Sequence, residues 1–134
     1  MNGHTLPFLN FMQNYLKILL KLSGESLGGT EGKGLDEKML NHYAQQIVSA
    51  IRLGTSVAVV IGGGNIFRGL GGVGKGFDRV KGDQMGMLAT IINSIALSGA
   101  IRSQNVECDV FSSTPMEPFA RYYVRDKVLE LMER

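Results

Sequence analysis

The chain has 134 residues with 14 Lys and Arg against 12 Asp and Glu, and this net charge of +2 supplies no basic stripe for phosphate-driven binding of nucleic acid. Its content of 44% hydrophobic and 19% charged residues is that of a folded globular chain with one core, and no run of about 18 consecutive uncharged apolar residues offers a bilayer span. A single Cys108 leaves no internal disulfide and no thiolate metal cluster, which fits a reducing cytoplasm, and His4 and His42 are too isolated to make a metal site.

Residues 1–15 (MNGHTLPFLNFMQNY) are apolar and aromatic but lack a basic start and a small-residue cleavage site, so they are expected to form an amino-terminal extension to a domain over 16–134. Leu16 to Leu22 reads as a short strand that stops at Ser23-Gly24. Asp36 is placed to cap a helix whose face carries Met39, Leu40, Tyr43, Ile47, Val48 and Ile51, with Gly54 as its stop. Ser56 to Ile61 (SVAVVI) is nearly all apolar and β-branched, the pattern of a parallel strand covered on both faces, and it runs into Gly62-Gly63-Gly64. A second helix is expected from Asp83 to about Ile101 on Leu88, Ile91, Ile92, Ile95 and Ala96, a third strand over 106–111, and a last helix from Glu117 to Arg134. Strands alternating with helices predict an α/β fold with a mainly parallel sheet and helices on both faces, with ligands at the carboxyl ends of the strands.

Glycine sharpens that location. Of 18 glycines, 16 lie between Gly24 and Gly86, where loops must let backbone approach a ligand closely, and phosphate is the commonest such ligand. Gly62-Gly63-Gly64-Asn65 follows the clearest strand and leads to Arg68, a planar, permanently charged donor able to grip phosphate at two points. Lys21 either reaches past the sheet toward a polyphosphate or lays its stem along the surface with its ammonium in water. Asp83 either caps the second helix or accepts hydrogen bonds from sugar hydroxyls. In residues 69–76 (GLGGVGKG), Gly69, Gly71 and Gly74 satisfy G-x-G-x-x-G, but the strand ends about eight residues earlier; Gly74-Lys75 imitates a P-loop, but Gly76 replaces the magnesium-binding hydroxyl. That stretch reads better as a loop flanking the site. No Ser/His/Asp set is visible, so phosphoryl transfer by positioning and electrostatics is the chemistry that suits these residues.

Taken together, KILLKLSGESL (17–27), GTEGKG (29–34), VVIGGGNIFRG (59–69) and DRVKGDQMGMLATIINS (78–94) closely resemble the bacterial UMP kinases of the amino-acid kinase superfamily. The resemblance runs from about Leu16 to about Met116 and implies a three-layer α/β sandwich, here incomplete, because the family's later half with its GTGNPFFTTD-like segment is not in this sequence. It implies transfer of the γ-phosphoryl group of ATP to UMP with magnesium, the chain being an amino-terminal portion of such an enzyme, or else a non-catalytic uridine-nucleotide-binding module. By resemblance, Lys21, Leu22, Ser23, Gly24, Gly64 and Arg68 serve ATP, with Lys21 and Arg68 catalytic, while Gly63, Gly64, Arg68 and Asp83 serve UMP. Gly29, Thr30, Glu31, Gly32, Lys33 and Gly34 match a loop linked to activation by GTP, although Lys33 stands where relatives carry an apolar or aromatic residue. Inhibition by UTP and a homo-hexamer in the cytoplasm are further family traits.

Overall fold

In the computed structural model, which describes residues 16–68 and 78–134, two parallel strands carry the rest of the fold. The expected extension at 1–15 and the glycine pattern at 69–76 lie outside the described residues. Strand β1 (Lys17–Leu22) pairs with β2 (Ser56–Ile61) in a register that sets Lys17 opposite Ser56 and Leu22 opposite Ile61. Successive side chains of a strand point to opposite faces. Ile18, Leu20 and Leu22 therefore share one face with Val57, Val59 and Ile61, and Leu22 and Ile61 are buried in the main core. Lys17, Leu19 and Lys21 share the other with Ser56, Ala58 and Val60, and there Leu19 stays 71% and Val60 53% exposed. The expected cover on both faces of β2 is thus found on one, because among the described residues both long helices pack on the inner side.

The first of these is α1 (Glu37–Arg52), and it forms as its sequence predicts. The Asp36 carboxylate accepts the Met39 N–H at 3.0 Å, satisfying a donor that the first turn leaves open. Ile47 and Val48 are almost fully buried, and Leu40, Tyr43 and Ile51 pack beside them. Gly54, at φ +98°, donates to the Ile51 carbonyl and turns the chain toward β2.

Helix α2 (Arg79–Arg102) departs from expectation in its start and in its face. Its cap is Asp78, whose side chain accepts the Val80 N–H at 2.9 Å, so Asp83 lies within the helix and does not cap it. The buried face carries Ala89, Asn93, Leu97, Ser98 and Ile101, whereas Leu88, Ile92 and Ile95 look outward at 43–49% exposure. The helix packs closely on the glycine loop at this point: a Cβ at Gly63 would come within 2.8 Å of the Ala89 Cβ, so only a small side chain fits at position 89. Against the expectation that no stretch is long and apolar enough to span a bilayer, residues 84–101 carry no charge and α2 is long and apolar enough by length and composition; the helix nonetheless packs against α1 with Asn93 fully buried.

The third strand expected at 106–111 does not join β1 and β2. Ser98 Oγ and Arg102 Nε both donate to the Cys108 carbonyl, at 3.3 and 2.8 Å, and these side-chain bonds take an acceptor a strand ladder would use. Only β3 (Phe111–Ser112) forms, paired in parallel with β4 (Arg121–Tyr122). The helix expected from Glu117 is correspondingly shorter, α3 (Arg125–Met132), since Pro118 lacks an N–H and disfavours a helical residue before it. Met132 O accepts from Ser56 Oγ at 2.7 Å, and Lys17 pairs with Glu133 at 3.2 Å. Ser56 and Lys17 belong to the outer face of the sheet, so α3 begins a layer opposite α1 and α2, as in an incomplete α/β sandwich.

Candidate phosphate site

Parallel pairing carries on one residue past the strands, for the Gly62 N–H donates to the Leu22 carbonyl at 3.0 Å. The two chains then diverge as touching loops. After β1 and Ser23 come the 3-10 turns Gly24–Leu27 and Gly29–Glu31; after β2 comes the run Gly62 to Asn65. A Cβ at Gly24 would lie 2.7 Å from the Gly64 nitrogen and 2.8 Å from the Gly62 oxygen, so this contact admits only glycine. The Ile66 and Phe67 N–H groups fold back on the Gly63 carbonyl at 3.0 Å, while among the described residues the Gly63 and Gly64 N–H groups make no backbone hydrogen bond. Consecutive open amides at a strand end form a concavity suited to an anion.

Arg68 stands at the mouth of this loop, paired with the Glu25 carboxylate, which also fills the space a Gly64 side chain would need. The Glu25 backbone N–H and the Arg68 guanidinium hold the Glu25 carboxyl below the usual carboxylate range. Glu25 escaped sequence reasoning because an acid in a first turn reads as ordinary helix-end complementation. Lys21 is exposed on the outer sheet face and forms no ion pair among the described residues. Ser23 Oγ shares a 2.9 Å hydrogen bond with Ser26 Oγ, and Leu22 turns its side chain into the core. Asp83 is exposed on α2, one turn ahead of Gly86, whose Cβ position lies 4.0 Å from the Phe67 ring. Positions three apart share a helix face, which sets Asp83 on the side of α2 toward the Gly62–Arg68 segment.

The segment 29–34 is bound to this cluster. Gly34 donates its N–H to the Asn65 carbonyl and accepts from Asn65 Nδ2, both at 2.7 Å, and the Asp36 N–H reaches the Leu27 carbonyl at 2.7 Å. Thr30, Glu31 and Lys33 remain exposed. Asn65 in turn meets Asn93 of α2 through paired side-chain amides at 2.7 and 3.0 Å. In the sequence Asn65 reads only as the end of the glycine loop and Asn93 does not stand out, since a lone Asn carries no periodic signal.

The donors gathered here suit phosphate oxygens. Among the described residues no group of three or more His, Cys, Asp or Glu side chains is placed to hold a metal ion. A separate cavity of about 470 Å³ lies at the far end of α2, where Asp109 pairs with Arg102 and Arg121 at 3.8 and 3.3 Å. Burial pushes the thiol of nearby Cys108 up, which disfavours the thiolate.

Comparison with known proteins bears directly on this arrangement: the profile of the amino acid kinase family matches residues 17–134. The chain belongs to the amino acid kinase family. Among its amino acid kinase relatives, the uridylate kinase of Parabacteroides distasonis is 55% identical over 123 residues, covering 92% of this chain and 52% of the relative. That of Bacteroides thetaiotaomicron is 56% identical over 122 residues, covering 91% and 52%. Among solved structures, the UMP kinase from Bacillus anthracis superposes with a TM-score of 0.81 at 42% identity, covering 89% of this chain and 49% of the other. The UMP kinase from Ureaplasma parvum gives 0.77 at 32% identity over 88% and 52%. The chain spans about half the length of the curated relatives it matches.

Proposed function

We propose that the chain provides the acceptor-side phosphate site of a UMP kinase, an enzyme that moves the γ-phosphoryl group of ATP to UMP and yields UDP and ADP for pyrimidine nucleotide synthesis. The observation that carries this reading is the contact of the Gly62–Asn65 loop with the β1 exit at Gly24, beside Arg68, in a chain so similar to uridylate kinases.

In the reaction a phosphate oxygen of UMP attacks the γ-phosphorus, the bond to the β-bridging oxygen breaks, and ADP leaves. Little covalent chemistry falls to the protein; it positions the groups and stabilises charge. Lys21 and Arg68 are the catalytic cations, placed to neutralise charge on the transferred group. On the ATP side they act with Leu22, Ser23, Gly24 and Gly64, Leu22 contributing only backbone. On the UMP side Gly63, Gly64 and Arg68 hold the phosphate while Asp83 accepts from the ribose hydroxyls. Glu25 releases Arg68 as phosphate enters. Magnesium bound to the ATP phosphates would supply further charge neutralisation there.

The segment Gly29, Thr30, Glu31, Gly32, Lys33 and Gly34 is the proposed responder to GTP, and its bonds to Asn65 support that role. UTP acts as inhibitor. The stripe Leu88, Ile92 and Ile95, exposed on α2, supports assembly of the enzyme as a homo-hexamer working in the cytoplasm.

A coupled assay of the chain with ATP, magnesium and each nucleoside monophosphate tests the reading. UMP is the expected acceptor; preference for another monophosphate overturns the substrate. Calorimetric binding of UMP with no UDP formed turns the reading into that of a binding module.

A further inference from the structure

We infer that Asn93 and Asn65 are positioning residues that aim the amides of the phosphate loop and tie that loop to the segment 29–34; the inference deepens the phosphate-site reading and rests on it. The two side chains form a closed set. Asn65 Nδ2 donates to the Gly34 carbonyl at 2.7 Å and to Asn93 Oδ1 at 3.0 Å. Asn93 Nδ2 donates to the Gly62 carbonyl and to Asn65 Oδ1, each at 2.7 Å. All four amide hydrogens and both amide oxygens are engaged, with Asn93 fully buried and Asn65 5% exposed. A buried network in which every group is satisfied fixes one arrangement, because any departure strands a polar group without water.

What this arrangement fixes is the direction of the loop. A peptide unit is planar and trans, so its N–H points opposite to its C=O. With the Gly62 carbonyl drawn inward to Asn93, the Gly63 N–H of the same peptide unit is turned the other way, off the helix and toward the open side of the loop. Asn93 thus acts on phosphate through a backbone amide it does not touch. Asn65 adds the second connection: its main chain and side chain clasp both polar groups of Gly34, so segment 29–34 and the phosphate loop move as one body. A leucine at 93 would fill a similar volume and satisfy nothing, which explains why a polar residue interrupts the buried face of α2.

Three variants of the chain test this, with two readouts. Asn93→Asp keeps shape and an acceptor but removes both donors. It is expected to weaken UMP binding about 10–100-fold at neutral pH, the loss typical of supporting groups one step from a ligand, and to quicken exchange of the Gly34 amide about tenfold, the factor one net hydrogen bond is worth. Acidification should shrink the Asn93→Asp defect relative to the parent, because a protonated carboxyl regains one donor for Gly62, whereas the Asn93→Leu defect stays flat with pH. A pH-independent Asn93→Asp defect, or parental UMP affinity in both variants, overturns the positioning role. Should both fail to fold, Asn65→Asp decides the connection to segment 29–34: faster Gly34 exchange supports it and unchanged exchange overturns it. Exchange needs no nucleotide, so a parent chain that does not bind UMP refutes the phosphate-site reading separately.

Discussion

The two faces of the β1–β2 sheet are built from similar residue types and serve opposite ends. Inward, Leu20, Leu22, Val57, Val59 and Ile61 close against α1 and α2 in one core with Leu27 and Ile47 at its centre. Outward, Leu19 and Val60 stand more than half exposed beside Lys21, with α3 reaching only the starts of the strands. Apolar character alone therefore does not mark the core of this chain. The inner face buries the core beneath the loops at the strand ends; the outer face leaves Lys21 exposed.

Substitutions can break that contrast. The largest effect is expected at Leu27, which is fully buried: Leu27→Ala should cost about 2–5 kcal/mol in urea unfolding. A cost near zero would mean the inner face does not carry the stability. Lys21→Ala should lower phosphoryl transfer about 10²–10³-fold with an unchanged unfolding midpoint, and a stability loss in its place would make Lys21 structural. Glu25 is expected to give a smaller, pH-dependent effect. Its carboxyl is held below the usual range, so its contribution to stability is complete above that range and is lost as pH falls through the lowered folded value. In thermal melts from about pH 6 to about pH 3, Glu25→Gln should remove part of the acid-side loss; identical profiles would show that the pair with Arg68 does not form in solution. Smallest of all, Leu19→Thr on the open face should change stability by no more than about 0.5 kcal/mol.

The sequence made the local elements legible where one physical rule dominates. The Asp36 cap, the face of α1, both long strands and the glycine loops at their ends follow from periodicity, capping and backbone freedom, and the motif resemblance agrees with family membership. It failed where tertiary contacts overrode pattern. On α2 the apolar repeat of Leu88, Ile92 and Ile95 suggested the buried side, yet the side with Ala89 and Asn93 is the buried one, packed closely on Gly63 at Ala89. The strand expected at 106–111 lost a carbonyl to Ser98 and Arg102. Of the candidate site, Arg68 and the Gly62-Gly63-Gly64 loop were legible as neighbours at the exit of β2. Glu25 and Asn93 were not, because their roles arise from partners 43 and 28 or more residues away in sequence.

The central claim is that phosphate binds where β1 and β2 end, and an amide NMR titration of the chain with UMP tests it most directly. The account predicts shifts concentrated at residues 23–25 and 62–68 and at Asp83, with Leu19 and the residues around Asp109 unmoved. Shifts confined to 69–76 with Gly63 and Gly64 silent would contradict it.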